Sequence, residues 1–275
     1  MKSKRLANSI MVYAFLVLFA LFMFFPFYWM IISSLKSASE IAQKPPTIVP
    51  VNPSLENYLI AVKKVPLGRY MLNSLIVAAV SSVIILVTSS FAAYALSKLR
   101  LPGKRIILSI LISLMMVPFE LLVVTNYTTI VRIHLNNTLL ALFLPFISSI
   151  FYTILLKNFF DRIPISWYYA ATVDGGSEWM FFWRILIPNS RPMLFTISLF
   201  SLISSWNSFM WPLLVIKSKQ LRTVSFGVYS FISEGGERVE LMMALSVMTI
   251  LPMIIVFLLF KRHLIAGISF QGSKG

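Results

Sequence analysis

The stretch Ser166–Pro188, SWYYAATVDGGSEWMFFWRILIP, decides how the rest of the chain is read. It is too polar and too interrupted to cross a bilayer, yet it is full of large apolar residues. The pattern predicts two short helices joined by a turn. The first covers about Trp167 to Val173 and sets Ala170 and Ala171 on a smooth surface. Asp174-Gly175-Gly176 breaks it, because glycine reaches positive φ without a steric penalty. Ser177 is placed to cap a second helix, with Glu178 in its favourable first turn. Trp179, Phe182 and Leu186 form one stripe of that helix, with Met180 and Trp183 beside it. Pro188 is expected to end it. A water-exposed element this apolar needs something to dock against. One side suits the ends of membrane helices, and the other is free for a partner protein.

The surrounding composition agrees. Of 275 residues, 58% are hydrophobic and only 12% are charged, which describes a polytopic membrane protein rather than a soluble domain. The lipid bilayer is therefore the first expected partner. In such a chain a net charge of +15 reports basic loops that hold orientation. No basic patch is interleaved with stacking aromatics, so nucleic acid is discounted as a partner. Cysteine is absent, which excludes disulfides, thiolate nucleophiles and cysteine metal sites. His134 and His263 stand far apart with no neighbouring ligand pattern, so no metal site is expected.

Taken in order, the chain predicts six spans, each near the roughly 20 apolar residues a bilayer requires. They run at about 9–35, 71–97, 106–126, 139–156, 193–216 and 241–260. The fold class is thus all-α: one transmembrane domain over 1–275, an interrupted apolar helical loop at 166–188 and a short polar tail at 261–275. The proline-rich segment Lys36–Tyr70 and the segment Lys217–Glu240 read as outer loops. The small residues of the second span, Ser81 and Ser82 among them, let helix backbones approach closely. Six spans put both termini on one side. The segments on that side hold 14 basic residues against three acids, and the opposite side holds 10 against six. That balance favours cytoplasmic termini.

The central stretch also carries a resemblance. Ala170-Ala171, then Gly175, then Ile185-x-x-Pro188 is similar to the EAA loop of ABC importer permeases, which runs Glu-Ala-Ala, three residues, Gly, nine residues, Ile-x-Leu-Pro. Tyr169 stands where the glutamate belongs, and Ile187 replaces the leucine. Further marks resemble the carbohydrate-uptake branch, the maltose and glycerol-phosphate permeases: Asn73-Ser74-Leu75, Ala92-Ala93-Tyr94-Ala95, Leu101-Pro102-Gly103-Lys104, Met116-Val117-Pro118, Asn137-Thr138, Trp206-Asn207 and the Gly-rich end. The resemblance implies a multi-pass protein of a bacterial or archaeal cytoplasmic membrane, forming half of a sugar pathway. The implied partners are a second homologous permease subunit, two ATPase domains and an extracytoplasmic solute-binding protein. The residues it implies at the ATPase contact are Tyr169, Ala170, Ala171, Asp174, Gly175, Ile185 and Pro188. No G-x-x-x-x-G-K-[ST] loop is present, so this chain is expected to bind no cofactor and to be no enzyme. ATP and Mg belong to the partner ATPase.

Two further groups of residues are singled out. Glu120 is the one acid expected within a span, where an ionisable group is a functional candidate or reaches water at the outer end. Trp206 and Asn207 offer an aromatic face and an amide to a sugar, or a hydrogen bond between helices. In the tail, Phe270 is expected to anchor and Lys274 to meet an acidic or phosphate-rich surface, ordering Phe270–Gly275 against the ATPase dimer. The alternatives are a self-sufficient secondary transporter or channel, which favours paired charges along the spans, and a membrane enzyme, which needs clustered ligands or nucleophile–base pairs.

Overall fold

The structure is a computed structural model that describes residues 2–235 and 238–272, with side chains described for 9–231 and 238–260. In chain order the helices are α1 (Lys2–Ser34), α2 (Ala38–Ile41), α3 (Glu56–Lys64), α4 (Leu67–Lys98), α5 (Lys104–Met115), α6 (Phe119–Arg132), α7 (Leu140–Phe143), α8 (Ile150–Asp161), α9 (Ile165–Val173), α10 (Glu178–Phe181), α11 (Ile187–Asn189), α12 (Arg191–Trp206), α13 (Met210–Val215), α14 (Val224–Gly235) and α15 (Val239–Gly272). No strand occurs among the described residues. Ser9–Ser34, Leu67–Lys98 and Val239–Phe260 are each long and apolar enough to cross a membrane. Three bent pairs, Lys104–Met115 with Phe119–Arg132, Leu140–Phe146 with Ile150–Asp161, and Glu178–Asn189 with Arg191–Trp206 (bent by 76°), bring the count to as many as six when each pair is taken as one span.

The bends are where the expected straight spans fail. The third span is α5 and α6, which meet at 93°. Pro118 is the cause: it lacks an N–H and keeps the chain extended, with φ −62° and ψ 140°. The fourth bends by 50°, after a 3-10 turn that begins with Leu144-Pro145. Ser149 then restarts the helix, its hydroxyl accepting the Tyr152 N–H at 3.3 Å. The fifth span is not continuous to Ile216, because α12 stops at Trp206 and α13 begins at Met210. The segments 36–70 and 217–240, expected as loops, contain helices: α2 and α3 lie in the first, and α14 in the second. The sixth helix does not stop at Phe260 but runs on to Gly272. Extending an existing helix needs no new nucleus, so Gly267, at about 1 kcal/mol, does not end it.

Two compact units divide the chain. One comprises 1–67 and 228–252. Its 36–66 segment is organised by two buried polar side chains. Glu40 accepts from the Thr47 hydroxyl at 2.7 Å and the Val51 N–H at 3.0 Å. Asn57 donates to the Ser34 and Lys36 carbonyls at 2.9 and 2.8 Å. The Lys36 ammonium donates to the Thr47 carbonyl and sits 4.9 Å over the Trp29 ring.

The other unit comprises 68–227 and 253–275 and, among the described residues, holds two buried clusters. One gathers Val77, Ile130, Leu142, Val215 and Phe226 around Trp211, whose Nε1–H donates to the Ala141 carbonyl at 2.8 Å. Side-chain amides tie its loops. Asn73 donates to the Gln220 and Arg222 carbonyls. Ser74 accepts the Val224 N–H at 2.8 Å. Asn137 sits at φ 60°, accepts from the Lys217 and Ser218 N–H groups at 3.0 and 2.9 Å, and donates to the Ser218 hydroxyl at 2.7 Å. Asn137→Ala therefore loses three hydrogen bonds and meets left-handed strain, for a cost of about 2–3 kcal/mol. Asn137→Gly keeps the torsion and costs less, about 1–2 kcal/mol. Thermal unfolding in detergent checks that order, and equal melting of the two variants contradicts it.

Candidate functional site

The stretch 165–189 forms a docked helical element. Helix α9 ends with two reverse hydrogen bonds: the Gly175 N–H donates to the Thr172 carbonyl at 3.1 Å, and the Gly176 N–H to the Ala171 carbonyl at 2.8 Å. Gly175 lies at φ +78°. This closure satisfies carbonyls that the helix end leaves free, and it requires the left-handed torsion at Gly175. Gly176 is needed for a different reason. A Cβ there would lie 2.7 Å from the Ala171 carbonyl oxygen and 1.9 Å from the Met180 Cε. Ser177 then caps α10, accepting the Met180 N–H at 3.1 Å.

From Phe182 to Leu186 the backbone is a π-helix. This wider turn moves the buried stripe. Phe181, Phe182 and Leu186 are buried, whereas Trp179 is 62% exposed at the edge of their face, its ring stacked on Phe91 and Phe182. Nor does Pro188 end the helix; it lies within α11, and the turn falls at Ser190. The two alanines also part: Ala171 is buried and Ala170 is exposed. Ile185 is half-buried and packs at the edge of the same core, while Asp174 is the exposed C-cap of α9.

The buried face rests on α4, α8 and α12 through Ala93, Tyr94, Leu156, Phe160, Met193 and Ile197. Phe182 is the hub, with ring centroids 5.0 Å from Phe91, 5.2 Å from Tyr94 and 5.0 Å from Trp183. Polar ties hold the approach. The Lys98 ammonium donates to the Ile163 carbonyl at 2.6 Å. Asp161 accepts from the Ser97 hydroxyl and pairs with Lys157, each at 2.7 Å. The Tyr168 hydroxyl donates to Glu178 Oε1 at 3.1 Å, which links α9 to α10. Burial, and then this hydrogen bond, raise the Tyr168 phenol above its usual range. The outer face is left apolar: Trp167, Tyr169 and Val173 are exposed, Val173 at 86%.

The same unit encloses a cavity of about 320 Å³. Ser201, Ser204, Ser205 and Ser208 line it from α12 and the turn beyond, Ser81 from α4, and Thr223 from the segment before α14. The expected pathway residues are not in this wall. Glu120 is exposed in the first turn of α6. Trp206 is buried, with its carbonyl accepting from the Ser225 hydroxyl at 3.1 Å, and Asn207 is the exposed C-cap of α12. The sequence signal for the cavity is the spacing 201, 204, 205, one helix face of hydroxyls, with Ser208 following in the turn. The backbone of Phe270 lies within α15, and Lys274 is outside the described residues.

A family model described as "Binding-protein-dependent transport system inner membrane component" matches residues 85–269. The chain belongs to that family. It is a multi-pass membrane permease. The match includes the docked element and most of the cavity wall. The chain is 30% identical to the arabinooligosaccharides transport system permease protein AraQ of Bacillus subtilis, over 95% of this chain and 94% of AraQ. It is also 30% identical to the sulfoquinovosyl glycerol transport system permease protein SmoH of Agrobacterium fabrum, over 91% of this chain and 89% of SmoH. A chain in the crystal structure of a bacterial ABC transporter involved in the import of the acidic polysaccharide alginate superposes with a TM-score of 0.81. That match has 23% identity and covers 95% of this chain and 98% of the other. It shares the fold of this permease.

Proposed function

We propose that this permease is the membrane subunit of an ATP-binding-cassette importer for a carbohydrate, and that it forms half of the translocation pathway. The observation that carries this reading is the two-sided docked element: an aromatic face buried on three membrane helices and an apolar outer face left uncovered. An ATPase domain seated on Trp167, Tyr169, Ala170 and Val173 moves the element as one body, and the helices follow. Coupling of this kind needs a rigid transmitter between an ATP site and a solute site. Gly175 sets the angle within the transmitter, Asp174 ends its first helix, and Ile185 and Pro188 lead into α12. Tyr169 replaces a charged contact with an apolar and phenolic one.

In this reading the partners are a second, homologous permease, two ATPase domains that hold ATP and Mg, and a solute-binding protein outside the membrane. The termini face the cytoplasm, as the basic residues near the span ends support. Glu120 and Asn207, exposed at a helix start and a helix end, meet solute on the pathway beside Trp206. Phe270 to Gly275 reach the ATPase dimer. The relatives' names support a carbohydrate as the solute.

Purification from native membranes with identification of the bound subunits, followed by uptake of labelled saccharides into vesicles containing the complex, tests the reading. The expected result is co-purification of an ATPase and a second permease, with ATP-dependent sugar uptake. Uptake by this chain alone, driven by an ion gradient, overturns it.

A further inference from the structure

The cavity at the α12 serines combines three properties. Its wall carries hydroxyls on one face of α12, at Ser201, Ser204 and Ser205, and in the turn beyond it, at Ser208. Among the described residues, no Asp, Glu, Lys, Arg or His lines it. Two wall hydroxyls, those of Ser201 and Thr223, belong to residues only 3% and 4% exposed and have no hydrogen-bond partner within the protein. A buried hydroxyl left unmet carries a desolvation penalty, which a complementary group entering the cavity removes. Phe146 and Tyr152 add flat apolar faces to the same wall. A sugar ring has the matching surface, with hydroxyls around its rim and C–H groups on its faces. The volume of about 320 Å³ is at the low end of small-ligand sites, roughly 300–1,000 Å³, and suits one ring rather than a chain of them.

We infer that this cavity binds a single neutral sugar ring through the hydroxyls of Ser201, Ser204, Ser208 and Thr223. The inference rests on the carbohydrate reading above and adds a place and a charge class to it. An anionic sugar would leave its charge in this wall without a counter-charge, which is expensive.

The chain contains no cysteine, so Ser201→Cys and Ser205→Cys each put a single near-isosteric thiol into the wall. Ser54→Cys, in the exposed loop before α3, is the control. In membranes containing the whole transporter, labelling by a small neutral methanethiosulfonate is followed while arabinotriose or raffinose is titrated. Sulfoquinovosyl glycerol, with its sulfonate, is the anionic probe. Arabinotriose or raffinose is expected to slow labelling at 201 and 205 and to leave 54 unchanged, and the anionic probe is expected to protect neither. Adding Ser204→Ala to Ser201→Cys should raise the half-protecting concentration about three- to tenfold, the effect of one hydrogen bond.

Full labelling at both wall positions, in membranes whose wild-type transporter takes up the same sugars, overturns the inference and leaves the carbohydrate reading standing; the cavity then holds only water. Wall thiols that never react while Ser54→Cys does show a closed cavity and overturn it equally. Equal protection by the sulfonated sugar overturns the neutral charge class. If the wild-type complex takes up no saccharide, the carbohydrate reading fails and the inference falls with it.

Discussion

Gly175→Val is expected to cut solute uptake and solute-stimulated ATP hydrolysis to about a tenth or less, with the complex still assembled in the membrane. The effect is torsional. No atom lies within 4 Å of the position a Cβ would take at Gly175, but its φ is +78°. Valine, branched at Cβ, meets a penalty of about 1–3 kcal/mol there. Relief requires φ to turn negative, which breaks the Gly175–Thr172 and Gly176–Ala171 bonds and re-aims α10 against α9. The docked face of α10 is fixed by its aromatic contacts, so the misfit appears at the outer face. Gly175→Asn, which tolerates the left-handed region, should retain most activity. Uptake and ATPase assays on purified complexes check both variants. Wild-type rates for Gly175→Val would remove Gly175 from the coupling path.

Phe182→Ala is expected to have the larger effect on stability. The side chain is fully enclosed and holds Phe91, Tyr94 and Trp183 together. Its truncation leaves a cavity under the element and costs about 3–5 kcal/mol. The element should then detach locally while the spans stay inserted. ATPase activity would persist without responding to solute, and a protease would gain access near Gly175. Trp179→Ala is the informative comparison. Trp179 stacks on Phe91 at 5.8 Å but is largely exposed, so its loss should cost no more than about 1.5 kcal/mol of stability. Equal destabilisation by the two substitutions would contradict the assignment of faces.

The turn of this element was legible because it depends on local rules. A glycine at a left-handed position and a serine three residues before a free N–H declare themselves in the sequence. The stripe was misread because the π-helix at 182–186 is not a local preference. It arises where Phe181, Phe182 and Leu186 all find burial against α4, α8 and α12. A 3.6-residue period applied across it turns Trp179 inward and hides Phe181. Hydropathy located the six apolar segments but not their bends, since a window sums composition and is blind to direction. Pro118 marks the break, but the size of the bend, 93°, leaves no trace in composition. The 36–66 segment looked like a plain loop because its order rests on Glu40 and Asn57, whose partners lie up to 23 residues away. The cavity escaped notice for a related reason. Serines in an apolar helix read as close-packing surface, and only the tertiary arrangement sets Ser201 and Thr223 in one cavity wall, their hydroxyls buried with nothing to bond.

The central claim is that the outer face of α9 is where ATP-driven motion enters this permease. Site-specific crosslinking in native membranes tests it most directly. In this cysteine-free chain, Val173→Cys places a thiol on the most exposed apolar position of that face, and Ile48→Cys places one in the 36–66 segment. With a short thiol-to-amine crosslinker, Val173→Cys is expected to form an adduct with the ATP-hydrolysing subunit, in a yield that changes between nucleotide-free and ATP-bound states. Ile48→Cys is expected to form none with that subunit. An ATPase adduct from Ile48→Cys and none from Val173→Cys would contradict both the docking face and the orientation of the chain in the membrane.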